Sequence, residues 1–306
     1  MTAASKPASS GCLRMTRIRG HRLRLLPALV AVLLPIGIAA ANPAVWAVTG
    51  RNNTVYLFGS VHLLPAGGFG IEGELAEAYR DAEVLCLEVD IGALTPAKTV
   101  SVTLARAIDP AGRGLFDLAG PSADRVREAA AAAKFDLTPF EIFEPWFVGI
   151  SVSVMALQQH GYVADHGVEQ IMQRAAKQDG KTGCGLETLD EQLEVLDSLP
   201  AAEQLELLLQ SLEEAAQIEE EMKSLFEAWQ RGDDEPLVRQ LEEEFADYPA
   251  LAERLIYARN ERWAAQIGEF LEKPDDVLVV VGALHLVGEQ GLPARLERRG
   301  FRIERR

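Results

Sequence analysis

Two of the five histidines, His62 and His285, share one context: an apolar run with strand character, a glycine, two residues, then the imidazole (Gly59-Ser60-Val61-His62 and Gly282-Ala283-Leu284-His285). A neutral imidazole is a metal ligand or a general base. One such turn reads most simply as a histidine capping its own loop; two of them, both behind strands, point to a shared site. Two carboxylates occupy equivalent positions, Glu88 after Val84-Leu85-Cys86-Leu87 and Glu187 after Cys184-Gly185-Leu186. An acid at the end of an apolar strand is costly to bury unless it is paired or bound to a cation. Two His with one or two Glu form a coordination set for zinc, manganese or cobalt. Such an ion would acidify a bound water for attack on a carbonyl. His62, Glu88 and His285 are therefore the candidate metal ligands, with Glu187 a fourth ligand or the general base. Arg259 and Asn260 are the remaining catalytic candidates, placed to orient substrate and stabilise a developing oxyanion. The plainer reading of Arg259 is an ion pair with one of the glutamates. His160 and His166 lie near a loop, outside the pattern.

The elements that must carry these groups follow from the hydrophobic pattern. Pro43 to Val48, a turn at Gly50-Arg51-Asn52-Asn53, and Thr54 to Phe58 predict a hairpin. Glu72 to Asp81 reads as a helix and Glu83 to Val89 as a second inner strand, which suggests a βαβ unit and a parallel sheet. Helices are expected over Ser122 to Lys134, Glu144 to Gln159 and Gly167 to Gln178. A third strand, Lys181 to Leu186, leads into a helix from Leu189 to Leu199. Ala201 to Glu244 is acidic and leucine-rich at helical spacing. It predicts a pair of amphipathic helices with a break at residues 232–236 and a solvated acidic face. A long helix, Leu251 to Leu271, precedes the most apolar strand, Val277 to Val281, then a helix near Leu292 to Arg299 and a last strand, Phe301 to Glu304. The fold class expected is α/β (mixed α+β): a central, largely parallel sheet flanked by helices, with a helical insertion at 201–248. Ligands in open α/β sheets bind beyond the carboxyl ends of strands, where all four candidate side chains fall.

Composition narrows the function. Residues 1–24 carry six Lys and Arg and no acid, followed by an apolar run, Leu25 to Ala41, ending in three alanines. This is the pattern of a secretory signal cleaved near Ala41. The run is shorter than the roughly 20 residues of a spanning helix and is broken by Pro27 and Pro35, so a retained anchor is disfavoured. Met15 is an alternative start. Residues 42–306 then read as a single domain, periplasmic or secreted, with no stable membrane span. Removing residues 1–41 leaves 24 Lys and Arg against 46 Asp and Glu, a net charge of −22. That charge repels nucleic acid. Cys86 and Cys184 remain, and pair only if their strands are neighbours. The chain contains no His-Glu-x-x-His, Gly-x-Ser-x-Gly, Walker loop or Cys-x-x-Cys, so the common metalloprotease, serine-hydrolase and P-loop readings lack support.

The chain resembles the TraB/GumN family, related to the Tiki metalloproteases, over almost all of residues 42–306. The resemblance is carried by Pro43-Ala44-Val45-Trp46, Tyr56-Leu57-Phe58-Gly59-Ser60-Val61-His62-Leu63-Leu64-Pro65 and Glu88. It continues through Gly167-Val168-Glu169, Gly185-Leu186-Glu187-Thr188-Leu189-Asp190-Glu191-Gln192, Arg259-Asn260-Glu261-Arg262-Trp263 and Val281 to Leu292. Ser60-Val61 stands where Thr-Ile is usual, and Glu169 where Asp is expected. The resemblance implies a mixed α/β fold with a central sheet, dependence on a divalent metal (manganese or cobalt in the Tiki branch) and peptidase activity on a peptide or protein. It places His62, Glu88 and His285 in the family's core site and Glu187 as a second acid. More remote likeness to erythromycin-esterase-like and haem-binding ChaN-like proteins keeps a second expectation open: a non-catalytic protein of the same fold that binds a peptide or haem.

Overall fold

Six strands form one sheet in the order β4-β3-β5-β2-β1-β6. They are β1 (Val45–Thr49), β2 (Thr54–Ser60), β3 (Val84–Val89), β4 (Thr182–Glu187), β5 (Val277–Gly282) and β6 (Arg302–Arg305). This computed structural model describes residues 43–306 apart from 216, 247 and 248; the signal read in residues 1–41 lies outside the described residues. Four strands, β4, β3, β5 and β2, run parallel, while β1 and β6 extend the sheet antiparallel. The mixed α/β class with a central sheet is therefore as the pattern predicts. The βαβ expectation needs one change. β2 and β3 are parallel but not neighbours, because β5, from the far end of the chain, lies between them. β5 is the apolar run Val277 to Val281, buried throughout, and so takes the middle of the sheet.

Alternation along the strands divides the core. Val55, Leu57, Cys86, Val279 and Val281 face Trp263, Ala264 and Ile267 of the helix Ala258–Phe270. Tyr56, Phe58, Leu85, Leu87 and Val280 face the helices Gly73–Asp81 and Val168–Asp179 on the other side. Each large aliphatic or aromatic side chain buried this way stabilises by roughly 1.5–3 kcal/mol. Among the described residues no helix is long and apolar enough to cross a membrane.

The acidic stretch departs from expectation in its number of helices. It forms three helices rather than a pair: Ala201–Glu214, Ile218–Gln230 and Asp234–Glu244. Pro236 sits in the first turn of the third, where its missing N–H is harmless, instead of extending the break. The stretch is also anchored in the core. Leu208, Leu209 and Leu212 pack against Val148 and Val152 of the helix Pro145–Gln159, and the Trp229 indole N–H donates to Gly59 O at 2.8 Å. The expected helix from Leu251 to Leu271 is interrupted: a π-helical segment, Glu253–Tyr257, lies immediately before Ala258–Phe270.

Cys86 and Cys184 are aligned partners on adjacent strands, with Cα atoms 4.5 Å apart, and form a disulfide. The neighbouring-strand condition set by the sequence is met.

Candidate functional site

The parallel β2–β5 pairing brings the chain's two ends together. Its register sets Gly59 opposite Val281 and Ser60 opposite Gly282, so the two Gly-x-x-His turns leave the sheet side by side. β3 is the other neighbour of β5, and its register with β5 runs to Leu87 opposite Val280. Just beyond, the Glu88 carboxylate accepts the Gly282 N–H at 2.6 Å. A side chain at Gly282 would fall within the site: its Cβ would lie 3.2 Å from Glu88 Oε1, 3.5 Å from His285 Cδ2 and 3.8 Å from His62 Nε2. Glycine there lets the three candidate ligands converge.

Each imidazole is oriented by an oxygen at Nδ1. The Asn260 amide nitrogen donates to the carbonyls of His285 and Gln290 at 3.2 and 3.0 Å, which identifies Asn260 Oδ1 as an acceptor. His285 Nδ1, 2.7 Å from it, is then the protonated nitrogen, and Nε2 carries the lone pair. His285 is only 4 % exposed. Burial pushes its pKa down to about 3, so the ring is neutral. His62 is the opposite case, with its side chain 61 % exposed at the rim and Nδ1 on the Glu169 carboxylate at 2.5 Å. Glu169 raises its pKa to about 9. Ser60 Oγ donates to the same Glu169 oxygen. Gly167 permits this approach, since a Cβ there would meet His62 O at 2.1 Å.

Arg259 unites the acids. Its Nη2 donates to Glu88 Oε2 at 2.6 Å and to Glu187 Oε1 at 2.7 Å, and its Nη1 lies 3.2 Å from His285 Nε2. The guanidinium also lies over the Trp263 ring, 4.5 Å from its centroid. Burial works against ionisation of Glu88, but His285, Arg259 and His62 with the Gly282 amide outweigh it and hold the pKa at about 2. Burial dominates at Glu187 and raises it despite Arg259. The plain reading of Arg259 as an ion-pair partner thus holds for both glutamates at once.

The residues fit a divalent ion in kind and orientation. Two histidines with Nδ1 engaged by oxygen and a carboxylate held by a backbone amide form the outer support that metal-ligating side chains usually have. As placed, the donors stand apart and Arg259 takes part of their capacity, its Nη1 facing His285 Nε2 at 3.2 Å. His285 Nε2 and Glu88 Oε1 are 3.9 Å apart, whereas donors sharing a tetrahedral ion lie roughly 3.4 Å apart. Among the described residues no three His, Cys, Asp or Glu side chains already stand at ligating distance of one point.

The chain matches the TraB/PrgY/gumN family model over residues 44–305. It belongs to the TraB/PrgY/gumN family. Similar TraB-family proteins include "Uncharacterized protein YbaP" of Escherichia coli (strain K12), 24 % identical over 255 residues, covering 83 % of this chain and 92 % of that protein. The protein of the same name from Shigella flexneri aligns with the same identity and coverage. No solved structure matches.

All six candidate residues of this TraB-family chain (His62, Glu88, Glu187, Arg259, Asn260, His285) come together at the carboxyl ends of β2 to β5. Asn260 has a role different from the one expected. It is fully buried and its amide is committed to His285 and two carbonyls, so it orients the imidazole and does not reach a substrate. Glu169, Ser60 and Gln192 also join the cluster without a chemical signature of their own in the sequence; Gln192 Nε2 donates to Glu88 Oε2 at 3.0 Å. Glu169 left a faint signal as an acid on the first turn of an apolar-faced helix. Gln192 left none, because its partner is 104 residues away.

Proposed function

We propose that this chain is a divalent-metal-dependent hydrolase acting outside the cytoplasm, with the peptide bond as its target. One observation carries the reading: both imidazoles have Nδ1 engaged by an oxygen, and both approach Gly282 beside Glu88 Oε1. His62, Glu88 and His285 would hold the ion, and manganese, cobalt or zinc bound there would supply Lewis acidity. Glu169 and Asn260 fix the ring orientations. Glu187, raised by burial, is the carboxyl suited to take up and return a proton. Arg259 brings positive charge to the same place, where it can offset charge developing on a substrate oxygen. The Cys86–Cys184 disulfide supports an oxidising compartment, periplasmic or secreted. Metal analysis of protein prepared without chelators is expected to find about one divalent ion per chain, as a mononuclear site requires. A His62→Ala/His285→Ala variant that binds the ion as tightly as wild type overturns the reading.

A second reading is favoured by Arg259. Its contacts with Glu88, Glu187 and His285 already supply a cation to the cluster. On that reading the protein binds a peptide or haem without turnover. Metal-free protein would then return a bound peptide uncut, or show a Soret band on haem titration.

A further inference from the structure

Beside the site lies a cleft of about 570 Å³ that the chemistry above does not use. It runs from Val89, at the end of β3, past Ile91 and Leu94 to Val100 on the helix Pro96–Ala107, with Leu189 as a further apolar wall. None of its lining residues is charged, in a chain where 25 % of residues are. Gln192 joins cleft to site: it lines the cleft and donates to Glu88 Oε2 at 3.0 Å. Gln170, next to Glu169, lines it too.

The walls are preformed. Arg106 of the helix Pro96–Ala107 grips Asp190 with two hydrogen bonds of 2.9 and 2.8 Å and Asp197 at 3.1 Å. Both acids lie on the helix Leu189–Asp197, so the guanidinium ties the two helical walls together. Asp90 accepts the Gly92 and Ala93 N–H groups and fixes the loop between them and β3. Val100 is 56 % exposed, an aliphatic side chain facing water at the cleft.

We infer that this cleft is the specificity subsite of the proposed hydrolase and takes a large apolar side chain of the peptide next to the bond that is cut. The inference rests on the hydrolase reading. The volume falls in the range of about 300–1,000 Å³ typical of small-molecule pockets. An aliphatic or aromatic side chain gains by leaving water against these walls. A charged one would lose its hydration with no counter-ion in the lining.

The test digests a mixed peptide library with the metal-loaded protein and reads the cut sites by mass spectrometry. Enrichment of Leu, Ile, Met or Phe at one position beside the cut is expected. For two reporter peptides differing only there, Leu against Asp, kcat/KM should favour Leu by about tenfold or more, the discrimination apolar pockets achieve. Val100→Glu, and separately Leu94→Asn, should reduce that ratio about tenfold, whereas damage to the fold would lower both rates together. A library cut without preference, or a preference unchanged in both variants, overturns the subsite and leaves the hydrolase reading standing. If nothing is cut with manganese, cobalt or zinc, the hydrolase reading fails, and anisotropy of fluorescein-labelled Gly-Gly-Leu-Leu-Gly-Gly against Gly-Gly-Asp-Asp-Gly-Gly decides the cleft by itself. Tighter binding of the Leu peptide, lost in Val100→Glu, supports an apolar binding cleft; equal binding overturns it.

Discussion

Two carboxylates buried side by side repel each other and resist ionisation unless a cation lies between them, and at Glu88 and Glu187 that cation is Arg259. Arg259→Met should therefore destabilise the protein by about 3–5 kcal/mol, the usual penalty for leaving buried charge uncompensated. Urea unfolding at neutral pH would measure it; a loss under 1 kcal/mol would show that the acids find other partners. Glu169 acts through His62. Glu169→Gln should weaken cobalt or manganese binding about 10- to 100-fold, as loss of an outer partner typically does. Equilibrium dialysis gives the affinity, and an unchanged value would remove Glu169 from the metal-site proposal. Gly282 shows the same logic in reverse: convergence at this point depends on a side chain being absent.

At the scale of elements, the site is stitched across the sheet and its helices. The disulfide joins β3 and β4 two residues before Glu88 and three before Glu187, closing a separation of 98 residues. Cys86→Ser/Cys184→Ser should cost about 2–5 kcal/mol, since a long loop is freed in the unfolded chain. The gap between wild type and variant should vanish when both are unfolded in reductant. The helical layer offers a separate test. Glu144, 7 % exposed, precedes the helix Pro145–Gln159 and accepts from Gln204 of Ala201–Glu214 at 3.2 Å. Burial raises its pKa, opposed by the Gln204 bond, and Asp197 and Asp109 push it further up. The folded state thus holds this proton more tightly than the unfolded chain, so stability falls as pH rises from the unfolded toward the folded pKa. Glu144→Gln keeps the bond to Gln204 without the charge. It should match wild type below about pH 4.3, the ordinary glutamate value. Above neutrality it should melt higher, by about 2–4 °C if the gain is 1 kcal/mol in a domain of this size. A melting difference that does not change with pH would exclude Glu144 as the titrating group.

For the whole molecule, the described residues from Pro43 to Arg306 form one compact unit, and family membership extends over 44–305. Work outside the cytoplasm, as proposed, is tested at this scale. Full-length protein expressed in a Gram-negative host should be recovered from the periplasm with an amino terminus near Asn42 and a mass lower by two hydrogen atoms than the dithiol form, the two electrons having passed to the oxidant of that compartment. Recovery from the cytoplasm with Met1 or Met15 intact and both thiols free would overturn it. The acidic helices belong to this scale too. With Leu208, Leu209 and Trp229 in the core, they are part of the support of the site, and Trp229 fixes the carbonyl of Gly59.

The sequence by itself determined the inner strands, most of the flanking helices and the six candidate residues that the fold brings together. Each carries its signal within a few positions: unbroken branched-aliphatic runs such as Val277 to Val281, helical spacing, and a polar group where an apolar run stops. It did not determine that β5 enters between β2 and β3, because strand order depends on contacts more than 190 residues apart and leaves no local trace. That insertion alone makes His62 and His285 neighbours and brings the Gly282 amide to Glu88. The third acidic helix was hidden by Pro236, a breaker in most positions but tolerated in a first turn. Tertiary structure also divided the labour within the site. Burial makes His285 neutral with Asn260 as its orienting partner, while the Glu169 carboxylate makes His62 basic, although both histidines stand in the same four-residue motif.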